Sequence, residues 1–407
     1  MYIVKSLITI QQIPTEAWPA RNKTIYFDFV CDFEANDGWK DLTNKGKVTL
    51  PKKVRYIDEN GKEINLGNKN ANIGGFSDTP PTFLRGDEVK IEAGYQYKSG
   101  DQDFVQTATY FKGFISKVSS KKPFTLECED LMWKLKQTAA KGGVNGVFAS
   151  SKYSVEEMLS ELFKNGKLPY TVNDISKTQV ELGIDFRVDN ESIGQVLERL
   201  RKDLYLKSYF RGTELRCGSV VYLEKETQLY NFVFQENIID DDLEYQRKED
   251  IILSAIATST YSTGKDGTTS DGHQKTKQQK LQVLITLQKD GTFKRTVKLP
   301  GDNTEFPPNN EGERHDFNYN GITDPKVLGD QAEAELMIYY YTGFKGTFTT
   351  FGIPFVRMGD EVALTDNVLP ERNGTYKVSN VEYKGGTGGL RQVIHLDYKV
   401  DPIVKKV

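Results

Sequence analysis

Two glutamates one residue apart, Glu127 and Glu129 in "PFTLECED", have the best spacing for acid–base chemistry in this sequence. On a strand, residues i and i+2 share a face about 6.5–7 Å apart, a separation that inverting glycosidases use to fit a water between acid and base. Such a pair also needs an apolar cleft to raise one of its carboxyls, and the neighbouring sequence predicts none, so a solvated strand face is expected. Asp240, Asp241, Asp242 and Glu244 could meet a cation, but a calcium loop also needs a glycine turn and spaced ligands. His273, His315 and His395 are scattered, and no Ser-His-Asp or Cys-His arrangement can be assembled around them. Phe210 beside Arg211 could stack a base, although hairpin packing is the simpler expectation. Tyr339-Tyr340-Tyr341 reads as a helix end against a strand or a subunit rather than a sugar platform. The sequence therefore predicts no catalytic residue, no cofactor and no metal.

Composition narrows the remaining classes. A net charge of −3 and a pI near 5.9 lack the basic excess of a duplex-binding surface. Cys31, Cys128 and Cys217 are odd in number and widely spaced, which suggests neither a disulfide framework nor a zinc cluster. "MYIVKSLITIQQIP" lacks a charged leader and a small-residue cleavage site, and no apolar run approaches about 18 residues. The expectation is a chain neither secreted by that route nor spanning a membrane. With 22 Phe and 21 Tyr among 407 residues, β-formers are plentiful and length allows two or three domains.

The elements that must position these groups follow from hydrophobic period. Ile25, Phe27, Phe29, Cys31 and Phe33 alternate with polar neighbours, predicting one strand, and Asn60-Gly61 predicts a tight hairpin. In "GDEVKIEAGY" Val89, Ile91, Ala93 and Tyr95 share a face. Gly113 sits mid-strand in "YFKGFISKV", where a missing side chain permits close backbone approach. After Asp130 the period becomes helical, with Leu131, Leu135 and Trp133 in the first turn. "SVEEMLSELF" opens on a capping box, Ser154 with Glu157, and "SIGQVLERLRKDL" repeats its apolar stripe. Residues 66–82 read as a loop. Residues 258–280 read as a mobile loop or the tip of a long hairpin, and 300–324 as a polar loop before a helix near 325–342. The fold class expected is β-rich α+β, with two related antiparallel β-barrels and an α+β insert between them. Its boundaries are 1–129, 130–225 and 226–407.

The two barrels are proposed from a repeat. Gly86-Asp87-Glu88-Val89 and Gly359-Asp360-Glu361-Val362 each open a strand, and each is followed by a Gly-led strand, from Gly113 and from Gly374. A turn and a last alternating strand come next in both. "GDEVKIEAGY…FKGFISKV…PFTLECEDLMWKLKQ" resembles the first barrel of phage baseplate and tail hub proteins, including the late control protein D relatives. In that family a Gly-Asp-x-Val strand start precedes a Phe-x-Gly-x-Ile strand, and an Asp-x-x-Trp helix start follows, here Asp130 and Trp133. The paired helices and "MGDEVAL…NGTYKVSNVEY" are similar to the family's insert and second barrel. The resemblance implies a non-enzymatic structural protein, the hub of a phage tail or baseplate or of a related contractile injection system, located in the virion tail and assembled in the bacterial cytoplasm. It also implies a homotrimeric ring between a sixfold tail tube protein and a central threefold spike protein, touching other baseplate or tail-tip proteins. DNA would be passing cargo only. The competing readings are a cell-wall-degrading enzyme using the acidic strand face and a carbohydrate-binding module docking through Tyr and Trp.

Overall fold

Alternating apolar residues and short Gly- or Asn-led turns drive most of this chain into strands. The computed structural model describes residues 2–51, 55–65, 80–99, 102–119, 123–148, 153–176, 180, 182, 186–204, 206–268, 274–288, 290–303, 305–308 and 312–400. The first nine strands are β1 (Tyr2–Gln11), β2 (Thr24–Phe27), β3 (Asp32–Gly38), β4 (Lys45–Leu50), β5 (Arg55–Ile57), β6 (Glu63–Asn65), β7 (Glu88–Ser99), β8 (Gln102–Val118) and β9 (Phe124–Asp130). The single strand expected across residues 25–33 is instead split between β2 and β3. The backbone at Cys31 is engaged elsewhere, its amide donating to Thr49 and its carbonyl accepting from Thr387. Phe29 is correspondingly exposed. The hairpin at Asn60-Gly61 forms between β5 and β6 with Gly61 at φ +75°. Most of the expected loop at 66–82 lies outside the described residues.

A compact α+β lobe follows. It contains α1 (Met132–Gln137), β10 (Val147–Phe148), α2 (Val155–Asn165), β11 (Thr171–Asp174), β12 (Phe186–Arg187), α3 (Ile193–Leu204), β13 (Lys207–Arg211) and β14 (Glu214–Gly218). The Ser154–Glu157 capping box is formed in both directions, at 2.8 and 3.2 Å. Both stripes are buried: Met158, Leu159 and Leu162 of α2 meet Val196, Leu197 and Leu200 of α3 in a core of their own. Gly212 turns β13 into β14.

The remainder holds β15 (Leu229–Val233), β16 (Ile238–Gln246), β17 (Leu253–Thr268), β18 (Gln274–Leu287), β19 (Phe293–Lys298), β20 (Glu313–Asn320), α4 (Pro325–Leu336), β21 (Gly343–Phe351), β22 (Glu361–Thr365), β23 (Gly374–Gly386) and β24 (Gly389–Val400). Residues 258–268 and 274–280 are the outer parts of the paired strands β17 and β18, as in the long-hairpin alternative; 269–273, His273 among them, lie outside the described residues. The loop expected at 300–324 contains β20, which runs parallel to β17 and adds Phe317 to the core beneath it. Strands β17 to β20 form a separate sheet, and α4 packs Leu328, Ala332 and Leu336 against it. Asp324 caps that helix and Pro325 occupies its first turn. The regular helix stops at Leu336, short of the expected end near 342.

The other strands of the two chain halves do not sit apart. They join a single 15-stranded sheet whose path is β16-β21-β24-β23-β3-β4-β9-β8-β7-β1-β2-β5-β6, with β22 and β15 off that path beside β23. One core fills both halves, from Ile8, Phe33 and Ile91 to Phe348, Tyr383 and Ile394. The seam is antiparallel pairing of β3 with β23.

Candidate functional site

The residues singled out by the repeat lie in two turns with nearly the same hydrogen bonds. In the first, Gly86 has φ +96° and donates to the Ile115 carbonyl (2.8 Å), while the Ile115 amide returns a bond to Asp87 (2.9 Å). The Asp87 amide donates to Leu84 (3.1 Å), and its carboxylate accepts from the Leu84 amide (2.8 Å) and from the Ile13 amide (3.0 Å). In the second, Gly359 has φ +90° and donates to Val378 (2.9 Å), whose amide donates to Asp360 (3.0 Å). The Asp360 amide donates to Arg357 (3.1 Å), and its carboxylate accepts from the Arg357 amide (2.8 Å) and the Gln228 amide (3.3 Å). Gly supplies the positive φ, and Asp closes the turn on the amide three residues back. Val89 and Val362, both buried, begin the strands that follow.

The correspondence continues along the sheet. β8 is bulged between Ile115 and Lys117, and β23 between Val378 and Asn380. At each bulge a serine hydroxyl crosses to the next strand, Ser116 to the Glu127 carbonyl (3.1 Å) and Ser379 to the His395 carbonyl (3.3 Å). The strand order β3-β4-β9-β8-β7 is matched by β16-β21-β24-β23-β22. The turn joining β3 to β4 occupies 39–44, whereas 247–342, including the whole β17–β20 lobe, joins β16 to β21.

Two glycines are not equivalent in this register. Gly113 stands opposite Val89, but Gly374 stands opposite Leu364, and the residue facing Val362 is Tyr376. Tyr376 is buried, and its hydroxyl accepts from the Phe344 amide (2.8 Å). The two turns also differ in their surroundings. Asp87 is paired with buried Arg21 at 2.5 Å. Asp360 has no such partner at bonding distance among the described residues, and burial holds its carboxyl above the usual range despite the amides. Arg21 gives no signal in sequence, because it lies in a polar stretch without period.

Asp130 and Trp133 fasten the first strand set to the α+β lobe. Trp133 stacks on Phe114, with ring centroids 5.1 Å apart, and lies beneath Gly86, where an added Cβ would stand 3.1 Å from the indole. Asp130 accepts from the Asn44 amide (3.1 Å) and the Met132 amide (3.0 Å). Burial nonetheless outweighs those bonds and the nearby Lys136, pushing its carboxyl up to about 7. In the unfolded chain the carboxyl ionises near pH 4. The folded state therefore binds the extra proton between about pH 4 and 7, and stability should fall as pH rises through that window. Asp130→Asn is expected to flatten this fall in a series of denaturation midpoints. An unchanged pH slope in the variant would refute the assignment.

The catalytic candidates are dispersed among structural contacts. Glu127 pairs with Lys117 (2.9 Å) and Glu129 with Lys136 (2.8 Å), so each carboxylate has its own lysine. Both border an open cleft of about 870 Å³ along the β3–β23 seam, with Lys47, Glu382 and His395. His395 bonds Glu382 (3.1 Å), while His315 is stacked on Tyr339 at 4.0 Å and its pKa is lowered by burial. Among the described residues no group of three or more His, Cys, Asp or Glu could hold a metal ion. Phe210 packs edge-on against Tyr170, and Arg211 reaches across to the Met358 carbonyl and Asp37. Tyr341 donates to the Phe344 carbonyl (3.1 Å), and Tyr339 lies against Tyr398. Sequence reasoning missed Tyr222, which donates to Asp397 (2.5 Å) and accepts from Trp39 (3.0 Å), linking lobe and sheet.

No protein-family model and no curated protein sequence matches the chain. Solved structures do. The tail protein from Neisseria meningitidis MC58 superimposes with a TM-score of 0.51 at 11% identity, covering 97% of this chain and 97% of that one. The two share a fold over nearly their whole lengths. A 43 kDa tail protein of prophage MuSo2 from Shewanella oneidensis matches at TM-score 0.49 and 10% identity, covering 97% and 98% of the two chains. An Escherichia coli type VI secretion component matches at TM-score 0.43 and 7% identity, over 98% of this chain and 79% of that one.

Proposed function

We propose that this chain is a structural subunit of a phage-type tail or baseplate, a hub whose three copies form a ring between a sixfold tube and a central threefold spike. The observation that carries the reading is the duplicated turn-and-bulge geometry. Two matching five-strand sets in one chain give six in a trimer, so a threefold object can offer six nearly equivalent contacts. The fold shared with the Neisseria meningitidis tail protein supports the same reading. In it the chain divides at 1–129, 130–225 and 226–407, the outer two parts being the duplicated barrels. Gly86, Asp87, Val89, Gly359, Asp360 and Val362 build its two matched turns. Its partners are further copies of itself, the tube and spike proteins and neighbouring baseplate proteins, with DNA only in transit. Among the described residues no helix is long and apolar enough to cross a membrane.

The reading carries no hydrolytic role, since Glu127 and Glu129 are each engaged by a lysine. Peptidoglycan turnover by the purified protein should stay at the buffer rate. Turnover that disappears in Glu127→Gln or Glu129→Gln would replace the structural reading with an enzymatic one. Sedimentation of the protein over a concentration series tests the assembly: three times the 46.1 kDa chain mass supports it, and a dimer at every concentration refutes it.

A further inference from the structure

We propose that His315 is a proton-operated latch between the β17–β20 lobe and the 15-stranded sheet: a second proton on its ring draws Glu313 away from Lys345 and loosens the joint. Segments 247–252 and 337–342 carry the chain into and out of that lobe. In the second segment neighbouring tyrosines divide between two cores, Tyr339 and Tyr340 packing on the lobe and Tyr341 on the sheet. Across the joint, Glu313 of β20 is paired with Lys345 of β21, and Tyr339 lies edge-on to Tyr398 of β24 with ring centroids 6.0 Å apart. The Lys248 amide donates to the Thr342 hydroxyl (3.2 Å), which ties the two connecting segments to each other rather than lobe to sheet. The Glu313–Lys345 pair is therefore the charged tie that spans the joint.

His315 sits behind that tie. Residues 313 and 315 share a face of β20, and His315 Nε2 stands 3.5 Å from Glu313 Oε1, while Glu313 Oε2 meets Lys345. Nε2 is buried and makes no hydrogen bond among the described residues. Stacking on Tyr339, at 4.0 Å and 23° between planes, fixes the ring in this direction. Protonation leaves an N–H on both ring nitrogens, so Nε2 then aims a donor at Glu313. Closing that gap to about 2.8 Å makes a charge-assisted bond inside β20 at the expense of the bond to Lys345. Burial disfavours the charged ring; Lys345 and Lys40 in the β3–β4 turn add to this, and Glu313 and Asp316 oppose it. Asp397 of β24 faces Tyr339 from the sheet side and is already bonded by Tyr222. Below about pH 6.5 an opened joint, with the ring in water, thus binds more protons than the closed one, so acid favours opening.

The test is amide hydrogen exchange of the full chain at about pH 7.5 and about pH 5.5, read by mass spectrometry and corrected for the intrinsic effect of pH. Protection of residues 337–343 and of β20 should fall at least about tenfold at the lower pH, while α2 and α3 keep theirs. Equal protection at both pH values would overturn the latch, and so would a fall that α2 and α3 share, since that is loosening of the whole molecule. His315→Gln should abolish the pH dependence of the joint. A dependence that survives in this variant would assign the response to another group, Asp397 first, and overturn the role of His315. Lys345→Met, which removes the tie without touching the ring, should leave the joint poorly protected at both pH values. Full protection of the joint in Lys345→Met at the higher pH would show that the ion pair holds nothing, and would overturn the mechanism even if His315→Gln did not fold.

Discussion

Arg21→Ala is expected to lower the stability of this protein by about 3–5 kcal/mol, the cost of leaving a buried carboxylate without its counter-ion. Arg21 and Asp87 are 2% and 1% exposed. The guanidinium also donates to the Pro81 carbonyl (2.9 Å) and to the Ile13 carbonyl (3.0 Å), so the substitution leaves two further acceptors unmet. The turn at Asp87 would keep its amides but lose the charge that balances it. Urea unfolding followed by Trp fluorescence measures the loss. Adding Asp87→Asn to Arg21→Ala should recover part of it, because the uncompensated charge is removed while a carbonyl acceptor remains. A single-variant effect within about 0.5 kcal/mol, the range of an ordinary surface change, would show that the pair is not buried as described.

Gly113→Ala should be more damaging still, and far more damaging than Gly374→Ala. A Cβ at Gly113 would stand 2.0 Å from the Glu129 carbonyl oxygen and 2.8 Å from the Asp130 Cα, both backbone atoms of the neighbouring strand. Relief would require β8 and β9 to part beside the Asp130 junction. At Gly374 the nearest atoms are side-chain atoms, the Tyr376 hydroxyl oxygen at 2.9 Å and the Lys399 Cε at 3.0 Å, and the lysine can move aside. The expected outcome is loss of soluble folded protein for the first variant and a cost of about 1–3 kcal/mol for the second. Equal effects at the two positions would argue that they are register-equivalent, as their places in the sequence suggest, and against the pairing of Val362 with Tyr376.

That pair of glycines also marks how far the sequence could be read. The period-two pattern located β7, β9 and the last strands, whereas β8 buries Tyr110, Phe111, Phe114 and Ile115 on both faces. The Gly-Asp-Glu-Val match located both turns, because that chemistry is local: a positive φ followed by a short acceptor. Register is not local. The bulges after Ile115 and Val378 and the two-residue offset of Gly374 depend on strands distant in sequence, so Gly374 could be aligned with Gly113 by eye. The helices were legible from their stripes and the Ser154 cap. Strand β20 was hidden because its polar, His- and Asn-containing sequence buries only Phe317 fully and borrows its order from β17. The joining of both halves into one sheet was equally hidden, since Asp32–Gly38 carries nothing that names β23 as its partner. At the site, Asp87 and Asp360 were found from their turns, while Arg21 and Tyr222 were missed and Arg211 was read only as part of its hairpin. Each of these three acts through a contact formed only when distant segments fold together.

In the proposed ring, two matched strand sets in each chain become six around one axis. Electron microscopy of the purified assembly, with class averages viewed down the ring axis, tests it most directly. The expected result is a ring with threefold symmetry whose inner wall shows six similar lobes at nearly equal spacing. A ring of three lobes only, or a particle with twofold symmetry, would contradict it.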